Sequence, residues 1–301
     1  MRVVVGSGPV GTAVARLLVE RGEQVRLVTR SGTGPDGVEK VKADATDPAV
    51  LTKLAEGAET VFSCGGPAYD RWVTDWPPLG ASLIKTAEAT GAALLTTGNL
   101  YGYGQPTGAM KDGDPDRPNS VKGQVRAKLW ADALAAPIRT AEVRGSDYLG
   151  AGAASVFTIG VLPGVLAGKK TAVPADLDAL HSWTAVDDVA RTLVAVASDD
   201  TALGRVWHVP TPPPVSIRDL AAQAAALAGV QAPRLSTMSP AVLWIGGLFN
   251  KQAHEIRELQ YQLRAPFVLD STDAQTTFGI TPTTTEAALE VTLTGTLRSG
   301  R

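Results

Sequence analysis

A Gly-x-Gly-x-x-Gly loop near the start of the chain, Gly6-Ser7-Gly8-Pro9-Val10-Gly11, restricts the fold more than any other feature. It follows a short apolar run, Val3–Val5. It precedes Thr12–Arg21, which carries Val14, Leu17 and Leu18 at helical spacing and stops at Gly22. The glycine pattern alone is common. Its place between a strand and a helix, in a βαβ unit of about 30 residues, makes it specific. Gly6 allows the tight turn, Gly8 lets the backbone approach a pyrophosphate, and Gly11 brings helix and strand together. Unpaired N–H groups at the helix start, with Ser7, Pro9 and Val10 around them, then face the phosphates.

The same alternation continues downstream. Strands are expected at Gln24–Thr29, Glu39–Lys42, Thr60–Ser63, Ala92–Thr97 and Ile138–Arg144. Helices are expected over Pro48–Glu56, near Pro78–Thr90 and near Ser120–Ala136. Such a rhythm implies an α/β fold: a Rossmann doubly wound parallel sheet covered on both faces. After Gly150 the pattern loosens into a Gly/Ala-rich stretch, a helix near Val186–Ser198, a strand near Val206–Val209 and a helix at Arg218–Ala228. Residues 1–150 therefore read as the Rossmann domain. Residues 151–301 read as a mixed segment that returns partly to the sheet and forms a smaller C-terminal substrate lobe.

The end of the second strand bears on which dinucleotide fits. Binders of NAD place an acid there for the ribose 2′-OH. This sequence has Thr29-Arg30-Ser31 instead. A guanidinium pairs with a 2′-phosphate and a hydroxyl adds a donor, so NADP(H) is the expected cofactor. Asp44 and Ala45 follow the third strand, where Asp44 can accept from the adenine amino group, while Asp47 is better placed to cap the next helix. Cys64-Gly65-Gly66-Pro67 closes the fourth strand with small residues that let the backbone pass beside the adenosine ribose.

A net charge of −2 gives no bulk attraction to nucleic acid or to an anionic membrane. One cysteine excludes an internal disulfide, and with three scattered histidines it leaves no metal-ligand cluster. No apolar stretch approaches the roughly 20 residues of a bilayer span. A cytoplasmic monomer or homodimer acting on a small molecule is expected.

At this point the chain resembles the short-chain dehydrogenase/reductase superfamily, in its extended or atypical, epimerase/dehydratase-like branch. The likeness is carried by the first loop, Ala43-Asp44, Cys64–Pro67, Thr96–Gly102, Arg144–Gly150 and His181–Ala190. Pro266–Ser271 resembles the family's closing strand. The first loop departs slightly, since extended members usually space their glycines Gly-x-x-Gly-x-x-Gly.

The resemblance implies a catalytic Ser or Thr after the fifth strand, here Thr97, and Tyr-x-x-x-Lys on the next helix. No Tyr in the chain has Lys four positions later. Lys122 falls on the Tyr position and Arg126 on the Lys position, one helical turn apart. Arg126 can hold the nicotinamide ribose but cannot serve as a base. The proton donor is then Lys122, if burial beside Arg126 lowers its pKa, or Tyr148, just past the sixth strand. Trp72, Trp76 and Trp183 are candidate pocket walls, His181 a structural histidine, and Asp187-Asp188 helix N-terminal charges.

Three readings follow: an NADP(H)-dependent oxidoreductase of a carbonyl or alcohol with a non-standard catalytic set, a sugar-nucleotide epimerase or dehydratase, and a non-catalytic NADP-binding redox sensor.

Overall fold

The computed structural model describes residues 1–239, 241–244 and 257–299. Six strands lie in the first half, with helices between all but β2 and β3, which a loop joins: β1 (Arg2–Val5), β2 (Val25–Thr29), β3 (Glu39–Lys42), β4 (Thr60–Ser63), β5 (Ala93–Asn99) and β6 (Thr140–Gly145). With Val206–His208 they make a parallel seven-stranded sheet among the described residues, in the order β3-β2-β1-β4-β5-β6-(206–208). The chain runs outward from β1 to β3, then crosses back to β4 and runs the other way. This doubly wound order opens a crevice at the carboxyl ends of β1 and β4, the switch point where such folds bind ligands.

β1 and β4 are short, largely apolar and largely buried because both faces of the sheet are covered there, whereas the edge strand β3 is polar and mostly exposed. Alternate residues serve alternate faces. Val4, Leu27, Phe62, Leu95 and Val143 pack under helix α1 (Pro9–Glu20) and the helix Val186–Ala197. Val3, Val5, Val28, Val61 and Leu94 pack under α2 (Pro48–Leu54) and α3 (Trp72–Thr90). Each fully buried Leu, Val or Phe contributes about 1.5–3 kcal/mol. A third cluster, including Leu149, Phe157, Trp183, Ile217, Leu220 and Leu289, forms the core of the smaller C-terminal part.

Three features differ from the sequence expectations. Helix α3 begins at Trp72, with Pro77 and Pro78 inside it, rather than near Pro78. The prolines remove two donors from its first turns, but Trp72, Trp76, Leu79 and Leu83 recur on one face and are all buried. That burial outweighs a cost of about 3 kcal/mol for each proline. Helix α1 starts at Pro9, not Thr12, because proline suits the first helical position, where no N–H is needed. Pro266–Ser271, which resembles a closing strand, forms no regular strand. Phe267 and Leu269 make single bridges to His181 and Met110.

Asp188 lies in the first turn of its helix and does more than complement the dipole. It is fully buried, accepts from the Thr283 N–H and hydroxyl at 2.7 Å each, and pairs with Arg191. It thus ties this helix to the segment leading into the last one. Asp47 caps α2 as expected, its carboxylate accepting from Ala49 and Val50 N–H.

Candidate active site

The glycine loop is built by close contacts that no side chain could enter. Gly6 has φ +101°, and a Cβ there would lie 2.5 Å from the Cα of Gly65. A Cβ on Gly11 would lie 2.0 Å from the Gly6 carbonyl oxygen, so this glycine lets α1 sit against β1. Gly8 is the opposite case. Its backbone is ordinary (φ −66°, ψ −177°), it is exposed, and a Cβ would meet nothing within 4 Å. Pro9 has no N–H, and the N–H groups of Val10 and Gly11 have no carbonyl four residues back within the helix. Open space over Gly8 beside unpaired donors fits a pyrophosphate.

The adenosine side is an open rim. Thr29 is buried and its hydroxyl accepts from the Gly32 N–H at 2.9 Å; Ser31 pairs with Thr33 through their hydroxyls at 2.6 Å. Arg30 is exposed. Asp44 accepts from the N–H and hydroxyl of Thr46, which hold its carboxyl below the usual carboxylate range, with Arg30 adding to the effect. Ala45 packs at the edge of the sheet core, and Cys64, Gly65, Gly66 and Pro67 turn away from β4. Burial pushes the Cys64 thiol up to about 12, so it stays protonated.

At the carboxyl ends of β4, β5 and β6 lies a cavity of about 220 Å³. Its wall includes Cys64, Thr97, Arg126, Ser146, Asp147 and Tyr148. Aromatic rings form one side, where Trp72 stacks on Tyr101 with centroids 6.0 Å apart and the Tyr69 and Tyr101 hydroxyls share a 2.6 Å hydrogen bond. The Thr97 hydroxyl is buried without a conventional hydrogen-bond partner; its polar neighbour is the Cys64 thiol. The Tyr148 hydroxyl donates weakly to the Gly98 carbonyl at 3.4 Å. Burial raises the pKa of Tyr148, partly opposed by the nearby Arg126.

Arg126 comes from helix α4 (Val121–Ala135), which Ser120 caps by accepting from the Gly123 N–H. It is buried, stacks its guanidinium over Trp76 at 4.8 Å and donates to the Thr97 carbonyl at 2.7 Å and to Glu142 at 2.8 Å. Lys122, one turn earlier, is also buried. Its ammonium pairs with Glu258 at 2.6 Å, and Glu258 also accepts from the Val121 N–H. Thr97, Arg126 and Tyr148 thus meet at the cavity, whereas Lys122 lies behind its wall.

Residues 6–200 match the NAD(P)H-binding family. The chain belongs to that NAD(P)H-binding family. No curated protein matches the sequence. Among solved structures, MoeE5 in complex with UDP-glucose and NAD is 21% identical with TM-score 0.79, covering 100% of this chain and 99% of its own. WbmH of Bordetella bronchiseptica in complex with NAD+ is 17% identical with TM-score 0.80, covering 100% and 99%. The UDP-glucose 4-epimerase of Thermotoga maritima with UDP-glucose is 16% identical with TM-score 0.80, covering 100% of both. These likenesses show the fold: the NAD(P)H-binding sheet and its C-terminal part have the epimerase/dehydratase architecture.

Sequence reasoning missed three side chains of this candidate site. Glu142 orients Arg126, Asp147 lines the cavity, and Glu258 engages Lys122. Only Glu142 carried a signal, being an acid inside a predicted strand, two residues before Arg144. The Lys122–Glu258 pair spans 136 residues and no local pattern announces it. Among the described residues no cluster of His, Cys, Asp and Glu could hold a metal, and no helix is long and apolar enough to cross a membrane.

Proposed function

We propose that this protein is an NADPH-dependent reductase of a small carbonyl compound, working in the cavity at the ends of β4–β6. The observation that carries the reading is the convergence of Thr97, Arg126 and Tyr148 on one cavity beside the glycine loop. When bound, the dinucleotide supplies a hydride; the chain's own residues must position the acceptor and deliver a proton. The unpartnered Thr97 hydroxyl suits a carbonyl oxygen. Tyr148 is the proton donor, and Arg126 holds the nicotinamide ribose while fixing the end of β5 through the Thr97 carbonyl. Arg30 favours NADPH through the 2′-phosphate.

The protonated state of the cavity's titratable groups suits reduction. Epimerases and dehydratases begin by oxidising an alcohol and need a base at neutral pH. Burial keeps the Tyr148 phenol and the Cys64 thiol protonated, and it raises Tyr101 well above the ordinary phenol range. A protonated phenol still gives its proton to a developing alkoxide, which is the stronger base. The sugar-nucleotide chemistry of the structural relatives is therefore the weaker analogy for this chain. A second reading, a non-catalytic NADP-responsive protein, is favoured by one observation: Lys122, on the usual Tyr position, is engaged by Glu258 instead of facing the cavity.

The test is NADPH consumption across a panel of small aldehydes and ketones. Tyr148→Phe is expected to lower turnover by about 10²-fold or more, and Thr97→Ala to lower it too, with NADPH affinity near wild type. Turnover unchanged in Tyr148→Phe contradicts the assigned donor. No turnover by wild type over the panel, with NADPH bound, favours the second reading.

A further inference from the structure

Arg126 is the first of four charged side chains that run from the cavity into the sheet. Its guanidinium donates to Glu142 at 2.8 Å; the other oxygen of Glu142 accepts from Arg144 Nε at 2.8 Å. Arg144 then meets Asp116 with two hydrogen bonds, at 2.6 and 3.0 Å. The signs alternate, so the formal charges cancel. Arg126, Glu142 and Arg144 are 6%, 2% and 2% exposed, which leaves little water to screen them. Asp116 closes the chain at a rim where its side chain is 19% exposed.

The network abuts the cavity directly. Gly98 lines the cavity, and a Cβ on it would lie 2.6 Å from Glu142 Oε1 and 2.8 Å from Arg144 Cγ. The sheet thus gives up a side chain at that point to admit the charges. A buried ion network of this kind adds little net stability over an apolar replacement. Its cost points to a role at the cavity it borders.

We propose that Glu142 is a positioning and charge-balancing residue that sets the protein's preference between oxidised and reduced dinucleotide. The inference rests on the nicotinamide end occupying this cavity, as in the reading above. The nicotinamide ring is cationic when oxidised and neutral when reduced. An unbalanced Arg126 guanidinium in the wall would repel the oxidised form selectively. Glu142 cancels that field while holding Arg126 on the Thr97 carbonyl, and Arg144 with Asp116 keeps Glu142 itself from over-correcting.

The experiment is calorimetric titration of NADP+ and NADPH into the full-length protein and three variants, each checked by thermal melting. Glu142→Gln leaves the positive charges in excess. The ratio Kd(NADP+)/Kd(NADPH) is expected to rise about tenfold, as one unbalanced charge roughly 10 Å away at an effective dielectric near 20 implies. Tenfold corresponds to about 30 mV for a two-electron couple. Asp116→Asn, at the exposed end, should move the ratio the same way by less. Arg144→Met removes a positive charge and should move it in the opposite direction.

Damage to the fold alone would weaken both forms together and leave the ratio where it was. A ratio within about twofold of wild type in all three variants, with binding intact, overturns this inference alone. Absence of any dinucleotide binding by wild type overturns it together with the proposed function. Should Glu142→Gln fail to fold, the opposite signs expected of Asp116→Asn and Arg144→Met still decide the matter.

Discussion

His208, fully buried at the end of its strand, has its ring between the Tyr103 hydroxyl at 2.8 Å and the Asp270 carbonyl at 2.8 Å. Burial lowers its pKa from 6.5 to about 4, against the raising effect of the carbonyl, so the folded protein keeps the ring neutral. The unfolded chain then binds the extra proton between those two values, and stability must rise with pH there. We expect the protein to lose about 3 kcal/mol as pH falls from about 6.5 to about 4. Urea unfolding across that window measures the loss. His208→Gln should flatten the profile, and an unchanged slope in that variant would show that another group carries it. Arg30 acts at the same scale but at the surface. It is exposed at the rim, so Arg30→Ala should leave the melting temperature alone. It should lower NADPH affinity by about tenfold or more, the range of a lost charge-assisted hydrogen bond, with NADH affinity unchanged. Equal loss for both dinucleotides would contradict its role at the 2′-phosphate.

Elements governed by local rules were legible in the sequence. The spans of β3 and β4 agree with the expectation residue for residue, because each is a short run bounded by Gly, Asp or Pro signals. The cap of α2 was legible too, since Asp before Pro leaves little choice. Helix α3 was misread at its start because Pro77-Pro78 looks like a beginning when only local propensity is weighed. What decides its length is the burial of Trp72 and Trp76 against the sheet, a tertiary fact. Pro266–Ser271, which resembles a closing strand, pairs only through isolated bridges. Its two bridges are to His181 and Met110, both distant in sequence. In the site, the glycine loop followed from spacing and Tyr148 from its strand end. Arg126 came from the family resemblance, which also put Lys122, absent from the cavity lining, in the catalytic set. The partners that set their chemistry, Glu142 and Glu258, followed from neither, since each is recruited from another element by folding.

At the scale of the molecule, one geometric fact organises the rest. The crossover from β3 back to β4 opens the switch point, and the loop ends of β1, β4, β5 and β6 gather the glycines, Thr97 and Tyr148 around it. The C-terminal half contributes to both parts. It supplies an edge strand and a covering helix to the main sheet, and Gln262 and Phe267 to the cavity wall. The proposed function therefore requires the dinucleotide to lie over the glycine loop with its nicotinamide end in this cavity. Gly8 allows a clean test, because its backbone angles suit any residue and a side chain there would meet only open space. Gly8→Val should fold with a melting temperature close to wild type yet block the pyrophosphate. Calorimetric titration of NADPH into both proteins is the direct measurement. The account predicts binding by wild type and its loss in Gly8→Val. Equal binding by the two proteins would contradict it.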